Sequence, residues 1–175
     1  MKAGNALAVL LLASVVGASN AAPQRIVSLN LCADELVLRL APPGTVKSVT
    51  WLARDPTLSN VSVLAHEVPV NRGLAEDVVP LAPDLVIAGA YTTRTAVGLL
   101  QRLGIAVLEL PVPSSVDEAL AQIATVAAAL GATEKGAQLI ADIRSGLSEV
   151  PIAPTGSSHL IAAVYQPNGL TIGKG

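Results

Sequence analysis

The chain has 175 residues, 51% of them hydrophobic and 14% charged, with a formal net charge of -2 and a pI near 5.6. That apolar content excludes a disordered chain. The lack of a basic cluster excludes phosphate-backbone recognition, so nucleic acid is not an expected partner. The single cysteine, Cys32, excludes an internal disulfide framework.

The elements follow in chain order. Met1-Lys2 is a short positive start, Ala6 to Gly17 is apolar and uncharged, and Ser19-Asn20-Ala21 closes with small residues at its first and third places. This is the layout of a secretory signal peptide, with cleavage expected after Ala21. The apolar run, about twelve residues, falls short of the roughly twenty that a spanning helix needs. The only Cys lies inside the mature chain, so no lipid anchor is expected and the protein should not be membrane-inserted after cleavage.

Arg25 to Leu29 reads as a strand and Ala33 to Leu40 as a helix, with Asp34 and Glu35 in its first turn, where the helix dipole favours negative charge. Pro42-Pro43-Gly44 ends that helix. Val46 to Thr50 is a second strand. Trp51 to Gly73 is long and irregular, with a short strand expected at Val61 to Leu64. Leu74 to Leu81 reads as a short helix. Leu85 to Ala88 is a short apolar run that fits a strand buried on both faces. A helix at Thr95 to Leu103 is closed by Gly104, and Ala106 to Leu110 is the next strand. Ser115 and Glu118 form a capping box for a helix running to Leu130. Another helix covers Glu134 to Leu147. After a linker at Pro151 to Ser158, a strand at His159 to Val164 opens, and Leu170 to Ile172 begins its hairpin partner.

Alternating strands and helices with short buried strands imply an α/β fold, a parallel sheet with helices on both faces. The strand after the linker has no helix to bury it, so a second lobe, only begun here, is expected; the alternative is that this strand joins the first sheet.

Chemistry-bearing motifs are few. There is no HExxH, GxSxG, CxxC or phosphate-cradling glycine loop. Two His, His66 and His159, give no basis for a multi-His metal site. No catalytic residue and no metal ligand is assigned. The positive signal comes from the aromatics, Trp51, Tyr91 and Tyr165, in a chain without Phe. Each lies at or just beyond the carboxyl end of an expected strand. That edge is where open α/β sheets bind ligands. Aromatics reserved for one rim suit a cleft for a large, flat or greasy ligand. Asn30, Cys32, Arg54, Thr92 and Arg94 would share the rim. The two arginines would suit an anionic chelate, although long Arg side chains are also ordinary solvated surface. Glu76 and Asp77, near the start of the Leu74 helix, interact favourably with its dipole, or present an acidic knob to a basic partner.

The segment Arg25-Ile26-Val27-Ser28-Leu29 resembles the opening strand of the iron-siderophore and cobalamin periplasmic binding proteins. Leu74-Ala75-Glu76-Asp77-Val78-Val79-Pro80-Leu81-Ala82-Pro83-Asp84-Leu85-Val86-Ile87 resembles that family's signature, a Glu-led short helix followed by Leu-x-Pro-Asp-Leu-Val-Ile. Leu103-Gly104-Ile105-Ala106-Val107 is similar to its next helix-to-strand turn. His159 to Tyr165 and Gly169 to Gly175 resemble the first hairpin of its second lobe. The resemblance implies two α/β lobes joined by a long helix, with ligand held between them. Its boundaries here would be 1–21 signal peptide, 22–132 N-terminal lobe, 133–150 interlobe helix and 151–175 the start of an incomplete C-terminal lobe.

The resemblance further implies the periplasmic substrate-binding component of an ABC importer, not an enzyme. Its ligand would be a metal chelate: a ferric siderophore, haem or cobalamin. No cofactor is expected beyond that ligand, and the protein is expected to be a monomer. Trp51 and Tyr91 would face the ligand, and Glu76 would pair with Arg residues of the membrane permease subunits. Asn30-Leu31-Cys32 departs from the small Ser-Pro-like residues common there, and Pro80 interrupts the short helix. Two other readings use the same fold, an exported α/β enzyme and a ligand-sensing protein.

Overall fold

A computed structural model describes residues 21–92 and 94–151, and the backbone of 164–165 and 171–172. The expected signal peptide lies outside the described residues, apart from Ala21. Five strands form one sheet: β1 (Ile26–Ser28), β2 (Val46–Thr50), β3 (Val70–Asn71), β4 (Leu85–Gly89) and β5 (Val107–Leu110). Their order is β3-β2-β1-β4-β5 and every pairing is parallel. The helices are α1 (Leu31–Leu40), α2 (Ser62–Ala65), α3 (Ala75–Val78), α4 (Arg94–Arg102), α5 (Val116–Ala129) and α6 (Thr133–Ser148).

The central strands are apolar because both of their faces are covered. Ile26, Val27, Val86, Ile87 and Ala88 are all fully buried. Val27, Leu29 and Val86 pack with Ala75 and Val78 of α3 and with Ala96 and Leu100 of α4. α1 packs on β1, β2 and β4 and also touches α5. β1 and β4 are joined at their starts by polar staples. The Asp84 carboxylate accepts from the backbone N–H of Gln24 at 2.8 Å and of Arg25 at 3.0 Å. The Arg25 guanidinium donates to the carbonyls of Leu81 and Ala82. This is the physical content of the Pro83-Asp84 pair.

Three expectations are corrected. Val61 to Leu64 does not form a strand. Val61 and Ala65 are buried while Val63 is 80% exposed, an i,i+4 burial that belongs to a helical turn. The third strand lies instead at β3. The Leu74 to Leu81 helix is divided: α3 ends at Val78 and a 3-10 turn runs over Val79–Leu81. Pro80 has no N–H to continue the α ladder, and Ala82 closes the turn in the left-handed region, at φ 45°. The capping box is redistributed. Ser115 Oγ accepts from Glu118 N at 3.2 Å, but the Glu118 carboxylate accepts from the N–H and hydroxyl of Ser114.

The chain divides into two compact units, Met1–Ile140 and Ala141–Gly175. The sheet belongs to the first. In the second, β6 (Val164–Tyr165) and β7 (Thr171–Ile172) pair antiparallel as a separate two-stranded sheet. The expected hairpin is therefore present, while most of its first strand lies outside the described residues. Among the described residues, no helix is long and apolar enough to cross a membrane.

Candidate functional site

The order of the strands locates the site. From β1 the chain winds outward through β2 to β3, then returns to the other side of β1 for β4 and β5. The loop after β1 leads into α1, and the loop after β4 leads into α4, on the opposite face of the sheet. The carboxyl ends of β1 and β4 are thus the topological switch point, where open α/β sheets present a ligand crevice.

Two loops meet there. Asn30 is the N-cap of α1, and its Oδ1 accepts from Cys32 N at 2.9 Å. Its amide lies directly over Gly89: a Cβ at Gly89 would stand 2.6 Å from Asn30 Nδ2 and 2.7 Å from Cγ. A glycine therefore ends β4 because another side chain occupies that space. The Thr92 hydroxyl accepts from Gly89 N at 2.9 Å and donates to the Leu29 carbonyl at 3.4 Å, which ties the two loops together.

On the α1 side of this crest lies a groove of about 410 Å³ whose walls include Asn30, Cys32, Tyr91, Pro111, Val112 and Ile123. On the α4 side is a second groove of about 460 Å³, with Thr92, Arg94, Gln101 and Glu109 in its wall. Both reach Ala90, Leu110 and Pro111. The expected site residues are thus brought to the crest in two groups, Asn30 with Cys32 and Tyr91, and Thr92 with Arg94. Tyr91 is 88% exposed. Trp51 is 55% exposed and lines neither groove; it begins the 3-10 turn Trp51–Arg54 at the end of β2, one strand from the switch point.

Arg54 differs from the expectation. Its guanidinium donates to Ala65 O at 3.2 Å and Val68 O at 2.8 Å, so it braces the segment around α2 rather than reaching to the rim. The side chain of Tyr165 lies outside the described residues. Pro111, Val112 and Ile123 were not anticipated. The rule that drew attention to Trp51 and Tyr91, a position just beyond a strand's carboxyl end, also covers Pro111 to Pro113 after β5. They are aliphatic, so they carry no aromatic signal.

Charge at the rim is mostly tied up locally. Glu35 pairs with Arg39 at 3.0 Å. Asp77 is held by Arg72 through the backbone N–H at 2.9 Å and two guanidinium contacts at 3.0 and 2.7 Å. These bonds pull the Asp77 carboxyl from the ordinary 3.8 to about 2. Because folding lowers this pKa, the bridge stabilises fully above the ordinary value and is lost as pH falls toward 2. An NMR titration of Asp77 should show a midpoint near 2, and Arg72→Ala should return it toward the ordinary range. Glu76, beside it, is exposed and makes no hydrogen bond or ion pair among the described residues. Nor do three His, Cys, Asp or Glu side chains there converge to hold a metal ion.

A family model described as periplasmic binding protein matches residues 26–151. A cobalamin-binding protein of Halobacterium salinarum is 28% identical over 144 residues, which are 82% of this chain and 39% of that protein. A periplasmic heme binding protein from Pseudomonas aeruginosa superposes with a TM-score of 0.61 at 21% identity, covering 72% of this chain and 45% of that one. The apo form of a periplasmic heme-binding protein from Roseiflexus sp. RS-1 superposes with a TM-score of 0.59 at 26% identity, covering 71% and 48%. The chain thus spans less than half the length of each of these proteins. With its parallel sheet, its crest at the switch point and a match across most of its length, the chain belongs to the periplasmic binding protein family.

Proposed function

We propose that this chain is the first-lobe part of a substrate-binding protein that captures a metal chelate outside the cytoplasm and delivers it to an ABC importer. One observation carries the reading: the carboxyl edge of a periplasmic binding protein sheet displays two exposed aromatics, Tyr91 at the switch-point crest beside a largely apolar groove and Trp51 one strand away. A flat, partly apolar chelate has the shape and chemistry for such a surface. The relatives named for cobalamin and heme binding support that ligand class. A ferric siderophore is the third member of the class.

In this reading Trp51, Tyr91, Asn30 and Cys32 contact the ligand. Thr92 and Arg94 meet it from the other side of the crest. The family's extracytoplasmic setting agrees with export by the Met1–Ala21 segment. Glu76 docks on the permease. That assignment is supported by its exposure and by the contrast with Asp77, whose charge Arg72 already neutralises.

Trp51 is the only Trp in the sequence, so it is its own reporter. The full-length, signal-free gene product should show saturable quenching of Trp fluorescence with one of cobalamin, cobinamide, haem or a ferric siderophore. Failure of every ligand to bind, judged also by equilibrium dialysis, would sink the proposal.

A further inference from the structure

Asp34 is fully buried in the first turn of α1. The sequence suggests an ordinary acidic residue favoured by the helix dipole, but its carboxylate is committed to a neighbouring strand. It accepts from Thr50 N at 3.1 Å and from the Thr50 hydroxyl. Thr50 is the last residue of β2 and the N-cap of the 3-10 turn that Trp51 begins. The Thr50 hydroxyl makes no capping bond to that turn. Burial pushes the Asp34 carboxyl up from its ordinary value, against the pull of hydrogen bonds from Ser28 and Thr50. A buried carboxylate is a costly way to join a helix to a strand, and here the residue it holds, Thr50, immediately precedes an exposed aromatic, Trp51.

We propose that Asp34 is a positioning residue for Trp51: by gripping both the backbone and the side chain of Thr50, it fixes the point from which the aromatic leaves the sheet. The proposal rests on the reading of Trp51 as a ligand contact. Without Asp34, the Thr50 hydroxyl is released and the ligand must order Trp51 on binding, which lowers affinity.

The test uses the full-length protein with cyanocobalamin and haemin as probes. Affinity is measured by equilibrium dialysis, Trp51 order by fluorescence anisotropy and acrylamide quenching, and folding by thermal melting. Asp34→Ala should lose about three- to twelvefold in affinity, the upper part of the scale for ordering one side chain, with lower anisotropy and easier quenching well below its melting temperature. Asp34→Asn can accept from Thr50 N and donate to Thr50 Oγ, so it should restore affinity to within about twofold of wild type. Thr50→Val, which removes only the hydroxyl bond, should move affinity and anisotropy in the same direction by a smaller factor. It decides the matter if Asp34→Ala does not fold. Folded variants with wild-type affinity and wild-type Trp51 anisotropy would overturn the proposal. If Trp51→Ala itself binds as tightly as wild type, the contact reading fails, and the positioning role fails with it.

Discussion

Glu76→Arg is expected to leave chelate affinity within about twofold of wild type and to reduce uptake through the intact transporter to background. Glu76 stands on α3, which begins just after β3 ends, so it lies at the same edge of the sheet as the rim while lining neither groove. Reversing its charge therefore changes little that a bound chelate would feel. Against a permease surface carrying Arg, the same reversal places like charges together, which costs several kcal/mol at an interface. The fold should tolerate the change, because Glu76 is exposed and forms no ion pair among the described residues. The neighbouring Asp77→Asn would be a poor test, since it loosens the Arg72 grip on the loop. Uptake of labelled chelate in cells lacking the native gene, alongside affinity of the purified variant, separates docking from binding. Normal uptake by the variant would remove Glu76 from the docking surface.

Gly136→Ala is expected to destabilise the protein by about 1–3 kcal/mol, the usual scale of overpacking. Helix propensity alone predicts the opposite sign, since Ala is favoured over Gly by about 1 kcal/mol inside a helix. Packing decides. A Cβ at Gly136 would lie 2.3 Å from the Cβ of Ala127 on α5, and neither atom can swing aside. The helices would have to separate along their contact. Gly146, in the same helix, meets nothing within 4 Å. Gly146→Ala should therefore be neutral or stabilise by up to about 1 kcal/mol. Urea denaturation of the two full-length variants checks both signs, and a stabilised Gly136→Ala would mean that α5 and α6 are not in close contact there.

The strand ends that carry the candidate residues are legible in the sequence, because two local signals mark them. Apolar runs bounded by turn residues mark β2 and β4, and the residue after each strand end names Trp51 and the Tyr91 loop. The Ser115 cap was equally legible from spacing, although its partner Glu118 turned to Ser114 once the loop was formed. Two short elements were not legible. β3 has two residues, too few to show a period, and Val61 to Ala65 carries apolar residues that fit a strand until burial shows a helical turn. Arg54 looks like any rim arginine in sequence, and only the folded chain brings the Ala65 and Val68 carbonyls to its guanidinium.

The sequence by itself determined the parallel α/β class, the order of most elements and the edge where a ligand would sit, since these follow from periodicity, turn chemistry and strand direction. Tertiary structure alone decided which strands are neighbours, and so where the switch point falls. It decided that Gly89 yields its space to Asn30 and that Gly136 yields its space to Ala127. It also turned Asp34, a dipole-favoured residue by its position in the chain, into the buried acceptor for Thr50. Each of these is a contact between residues on different elements, and such contacts depend on how surfaces pack rather than on any local preference of the chain.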